Sequence, residues 1–144
     1  PAPPPADLVA QGAALFASKQ CASCHDGPRG SGKHTYSYAE IGTDDALMRW
    51  LDPDLTGEAC CKAPVPEDEK KMTHALKSPR INGSWAMSRF LHNGSVDTLE
   101  DLFCLNGPRG KITEKPFGDA GHDFTCQGLD DGEKMALIAY LKAH

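Results

Sequence analysis

The sequence predicts an all-α domain: a helix at each end, with short helices and long loops between. Three observations predict it. Residues 6–20, ADLVAQGAALFASKQ, place Leu8, Val9, Gly12, Leu15 and Phe16 on one helical face. Residues 129–144, LDDGEKMALIAYLKAH, place Met135, Leu137, Ile138 and Leu141 at core spacing. Between these ends, glycines and prolines interrupt short periodic stretches, and no internal repeat occurs. The 144 residues suit one domain with its own core.

The elements follow in chain order. Residues 1–5, Pro-Ala-Pro-Pro-Pro, read as a stiff, extended, proline-rich leader, and residues 6–144 as the single domain. A start without Met is expected of a mature chain whose signal segment has been removed. Asp7 favours the start of the first helix through the helix dipole. Residues 26–42 carry glycines, Pro28 and no period, so they read as loop. Thr43-Asp44-Asp45 caps a short helix, ALMRWL, in which Leu47, Trp50 and Leu51 suit the core; it ends before Pro53. Pro66 opens another, PEDEKKMTHALK, with acids first and bases last, ending before Pro79. Residues 97–104, DTLEDLFC, form a further short helix, and Asp130 or Asp131 caps the last one. Gly12 lets the two end helices approach closely, with Phe16 and Tyr140 packing around the contact.

Composition excludes several functions. The net charge is −5 and no basic stripe is visible, so a nucleic-acid role is not expected. No apolar run approaches the roughly 20 residues of a membrane span. A basic protein partner suits this surface, and a monomer is the default.

Of six cysteines, two lie in CASCH, residues 21–25. This C-x-x-C-H pattern is the attachment signal of c-type haem. Two thiols three apart on a helical turn can each form a thioether to a haem vinyl group. His25 then lies under the iron as proximal ligand. A redox dithiol needs the motif to open a helix after a strand, whereas here it closes a helical pattern. A zinc site needs a second Cys/His pair at matching spacing, which Cys60-Cys61 is not. One motif implies one covalent haem c. In an oxidising compartment the other four cysteines suggest two disulfides. Adjacent cysteines rarely bond each other, so Cys60 and Cys61 are each expected to reach one of Cys104 and Cys126, in a pairing left open.

An N-terminal helix ending in CASCH and a C-terminal helix meeting it through Gly and aromatic contacts resemble class I cytochrome c. A second resemblance lies in RINGSWAMSRFLHNGSVDTLEDLF, residues 80–103, in IGTD, residues 41–44, and in GDAGHDFTCQGLDDGEKMALIAYLK, residues 118–142. These windows are similar to the C-terminal haem domain of the bacterial dihaem cytochrome c peroxidase and rubber oxygenase group. The other haem domain of that group has no counterpart here, so dihaem peroxidase chemistry is not implied. The resemblance implies a cytochrome c-like fold around one covalent haem.

The distal ligand is open to several residues. Met135 reads as core packing, Met72 and His74 as surface, Met48 as packing near the haem, and His34 and His144 as exposed. In a class I fold the distal ligand comes from the loop before the last helix, where His122 lies. In the rubber oxygenase branch the His of an A-G-H-x-F turn is a haem ligand, which by resemblance selects His122; the peroxidases carry Met at the matching place. Met87 is the first alternative and His92 the second; His92 also reads as a hydrogen-bonded anchor, with Asn93 and Gly94 making the turn. Trp85 and Arg80, or Arg89, are candidates to line the haem or meet its propionates.

The expectation is a periplasmic electron carrier rather than an enzyme. Its haem would be six-coordinate and low-spin, His/His-ligated and of lowish potential, and would exchange electrons with redox proteins at its exposed edge. The alternatives are a peroxidase, with an open sixth position and His92 or Glu114 as acid or base, and a gas or redox sensor.

Overall fold

The computed structural model describes residues 2–46, 48, 75–109 and 118–144. Both end helices form where the periodicity places them. Helix α1 spans Ala6–Ser18 and buries Gly12 and Phe16. The last helix is opened by a reciprocal cap: the Asp130 carboxylate accepts from Glu133 N–H and the Glu133 carboxylate from Asp130 N–H, at 2.8 and 3.2 Å.

These two helices pack directly on each other at Gly12. A Cβ at this position would lie 2.1 Å from the Ala136 carbonyl oxygen and 2.6 Å from Tyr140 Cβ. Only a residue without a side chain permits that approach. The Phe16 and Tyr140 rings close the contact at 5.1 Å between centroids, and Lys19 pairs with Glu133 at 2.9 Å. Met135, expected in the core, is instead 48% exposed. Ala136, Leu137, Ile138, Ala139 and Leu141 take up the buried arc of that helix and leave Met135 outside it.

Between the ends, the described residues are not all-α. Strand β1, Thr35–Ser37, pairs antiparallel with β2, Ala75–Lys77, with Tyr36 opposite Leu76. Residues 26–42, expected to be loop, therefore hold a strand. They also hold helix α2, Tyr38–Ile41, which Ser37 caps through a reciprocal bond with Glu40. The helix expected over PEDEKKMTHALK does not reach its C-terminal end, because Ala75–Lys77 find backbone partners on β1. The rest of that stretch lies outside the described residues, as do Leu47, Trp50 and Leu51. Helix α3, Leu99–Leu102, is capped by Thr98, and the C-terminal helix is α4, Asp131–Lys142. Short 3₁₀ turns occupy Cys21–Ser23, Ser84–Ala86 and Asp123–Thr125.

One apolar core joins these parts. Phe16, Phe90, Leu99, Phe103, Leu137 and Ile138 are among its members, and Leu137 is 1% exposed. Cys104 and Cys126 form a disulfide that ties the end of α3 to the turn before α4. This corrects the expectation that each would reach Cys60 or Cys61, which lie outside the described residues. Among the described residues no helix is long and apolar enough to cross a membrane.

Candidate functional site

A cavity of about 650 Å³ opens beside the core, within the usual range of cofactor cavities, about 300–1,000 Å³. Cys21, Cys24 and His25 contribute to its wall, and so does His122. The motif reaches this wall because α1 stops at Ser18. Gln20 then turns the chain with φ 62°, and Cys21–Ser23 make one 3₁₀ turn.

The His25 ring is fixed by its own hydrogen bonds. Nδ1 lies 3.1 Å from the Gly30 carbonyl and 3.0 Å from the Pro79 carbonyl. Both partners only accept, so Nδ1 carries a proton and Nε2 is left as the nitrogen available to a ligand. Metal-bound histidines are oriented in this way. Gly30 is needed where it stands: its φ is +62°, and a Cβ there would lie 2.3 Å from Ile81.

The His122 ring lies 6.1 Å from the His25 ring, centroid to centroid, at 71° between planes. With each nitrogen ~2 Å from a shared metal ion and each ring centre roughly 1 Å farther back, two opposed imidazoles are about 6 Å apart. The observed spacing therefore fits one ion between them. His122 is unprotonated at neutral pH: burial first, then the neighbouring His25 and Arg109, push its pKa down to about 3. Unlike His25, its second nitrogen has no support, since Nδ1 is buried and unpaired among the described residues.

Its backbone supplies what the ring lacks. His122 sits in the left-handed region, φ 59°, after Gly121 at φ 126°. Two distant segments hold the loop in this shape. Thr43 Oγ1 donates to the Ala120 carbonyl at 3.0 Å, and Asp44 N–H donates to the same oxygen at 3.0 Å. Asn93 Nδ2 donates to the Gly118 carbonyl at 2.8 Å. The stretches IGTD, HNGS and GDAGH thus meet at one loop. From the other side Arg109 enters it, with 5% of its side chain exposed.

The remaining candidates divide. His92 also borders the cavity. Thr43 has given its proton to Ala120, so His92 Nδ1 donates to Thr43 Oγ1 at 3.2 Å. Its Nε2 is buried without a partner among the described residues, and burial lowers its pKa. This bond makes His92 the anchor that its turn suggests, with Asn93 Oδ1 accepting from Ser95 N–H at 3.2 Å. Arg80 and Met87 border the cavity although both are exposed. Trp85 does not line it: the 3₁₀ turn at Ser84–Ala86 buries Ser84 and leaves Trp85 59% exposed. Arg89 pairs with Asp97 at the surface. Met48 is buried, and His144 Nδ1 donates to the Tyr140 carbonyl at 2.8 Å. Met72, His74 and Glu114 lie outside the described residues. Sequence reasoning missed Arg109.

Among the described residues no group of three or more His, Cys, Asp or Glu side chains could hold a metal ion. Two imidazoles, His25 and His122, stand 6.1 Å apart at this wall. A cofactor that brings its own in-plane ligands fits this arrangement, and two thiols on the same wall fit one that is covalently attached.

No known family model matches the chain. No solved structure matches it either. The uncharacterized protein y4iJ of Sinorhizobium fredii (strain NBRC 101917 / NGR234) is 28% identical, over 65% of this chain and 22% of its own length. The chain thus spans about a fifth of the curated relative it resembles.

Proposed function

We propose that this chain is a monohaem c-type cytochrome that carries single electrons between redox proteins, built on a cytochrome c-type fold. The observation that carries the reading is the 6.1 Å spacing of His25 and His122 beside the CASCH thiols. Cys21 and Cys24 would tether the haem through thioethers, and His25 and His122 would hold its iron. The haem supplies a one-electron Fe(III)/Fe(II) couple.

The chain's own groups set how that couple behaves. Two imidazoles give a lower potential than an imidazole and a thioether. With a ring held by its own hydrogen bonds at His25 and by its backbone at His122, little in the chain would rearrange between the two oxidation states. The apolar wall, including Phe90, Leu102 and Phe103, would keep water from a bound haem. Arg80, exposed at the cavity, suits the propionates. The Cys104–Cys126 disulfide favours an oxidising compartment, which for a bacterial chain is the periplasm.

The test is the oxidised spectrum of the haem-loaded protein beside that of His122→Ala. We expect a low-spin ferric spectrum without the weak near-infrared band of Met-ligated haem, and a variant that turns high-spin and binds CO. That band in the unmodified protein would move the ligand to Met87. A high-spin unmodified protein would replace the carrier with a peroxidase or gas-binding haem.

A further inference from the structure

Arg109 belongs to no sequence motif noted above, yet it is the most heavily engaged side chain near His122. Its Nη1 donates to the carbonyls of Asp119, at 3.0 Å, and Gly121, and meets Asp123 Oδ1 at 3.3 Å. Its Nη2 donates to the His122 carbonyl at 3.2 Å and to Thr125 Oγ1 at 3.3 Å. The same Nη2 reaches the Leu102 carbonyl, at the end of α3, at 2.9 Å. One planar group therefore bonds on both sides of His122 and to His122 itself, and fastens the whole turn to α3.

A guanidinium matches this task because it presents five N–H donors in a rigid fork. Lysine offers three donors from a single point. Burying a cation is costly unless carbonyls and a carboxylate compensate it. Here the carbonyls of the turn, the Leu102 carbonyl and the Asp123 carboxylate do so at both Nη groups, while Nε is buried without a partner among the described residues. Among the described residues the His122 ring has no hydrogen bond of its own at Nδ1, so its position depends on the backbone that Arg109 grips.

We propose that Arg109 is the positioning residue of the distal ligand: its guanidinium holds residues 119–125 in the shape that points His122 at the iron. The inference rests on the bis-histidine reading above. Arg109 does not line the cavity; it acts through His122.

The test compares haem-loaded wild type, R109Q and R109K by ferric spin state, CO titration of the ferrous form and thermal unfolding. R109Q is expected to show a high-spin ferric component at neutral pH. Its ferrous affinity for CO should rise by about 10–100-fold, the usual scale for losing the support of a metal ligand. Added free imidazole should restore its low-spin spectrum. R109K should shift in the same direction by less. An R109Q protein that melts earlier but stays low-spin and inert to CO overturns the proposal and leaves Arg109 a stability residue. If R109Q does not accumulate folded, R109K alone decides, and CO affinity equal to wild type overturns the proposal. Wild type that is itself Met-ligated or high-spin sinks the bis-histidine reading instead, so the two failures are distinct.

Discussion

His122 combines an uncommon backbone with a buried ring. A non-glycine residue in the left-handed region costs on the order of 1–3 kcal/mol and persists only where its surroundings impose it. Here Thr43, Asp44, Asn93 and Arg109 impose it. The ring adds a pH dependence. In the unfolded chain His122 takes a proton near its ordinary value of 6.5, while in the folded chain it does so only near 3. Between these values the unfolded state binds more protons, so stability falls as pH falls through that window. His92 acts in the same direction, since burial also lowers its pKa. Urea unfolding of the haem-free chain at pH 7 and pH 4 should show the loss, and H122Q should shrink it by on the order of a few kcal/mol. Legibility at this scale was uneven. Cys21, Cys24 and His25 are readable from spacing alone, whereas His122 needed the likeness of AGHDF to a known turn. Arg109 was unreadable for a specific reason. The tetrapeptide Gly-Pro-Arg-Gly occurs twice, at 27–30 and 107–110. Arg29 is exposed, whereas the side chain of Arg109 is 5% exposed. The same local sequence meets two fates because carbonyls from a distant turn gather around only one.

At the scale of elements, the end helices were legible because their apolar residues recur at helical spacing and Asp130 marks a start. The Gly12 contact was legible for the same reason, and it makes a prediction. Gly12→Ala should gain about 1 kcal/mol of helix propensity. It also sets a methyl group 2.1 Å from a backbone oxygen, which no rotamer change relieves. The helices must separate, and a net loss of about 2 kcal/mol is expected, near the upper range for overpacking once propensity is subtracted. A thermal melt of G12A would show it, and an unchanged midpoint would mean the helices shift freely. The strand pair was not legible. Thr35–Ser37 and Ala75–Lys77 are three residues each, too short for an alternating pattern to declare itself. Their pairing is set by residues 40 apart in sequence meeting in space.

At the scale of the molecule, the core and the cavity share a wall. Phe16, Phe90, Leu137 and Leu141 belong to both, so filling the cavity and folding the domain are coupled. The disulfide closes a loop between residues 22 apart. Replacing both cysteines by alanine should cost about 3 kcal/mol through the freer unfolded chain, read as a lower urea midpoint. An unchanged midpoint would mean that Arg109 and α3 hold the turn unaided. The wrong expectation for Cys104 and Cys126 arose because cysteine counts limit pairings without choosing among them. The bond also bears on how the chain is made. Cys126 is synthesised long after Cys21 and Cys24, so an oxidant acting on the emerging polypeptide meets the CASCH pair first. Thioether formation needs those two sulfurs as thiols, and an oxidised pair is blocked. Under the proposed chemistry, maturation therefore requires a reductant that spares one pair of cysteines while restoring the other. All four residues are half-buried, so the pairs differ by place rather than by exposure: Cys21 and Cys24 lie on the cavity wall, and Cys104–Cys126 ties the end of α3 to the turn before α4.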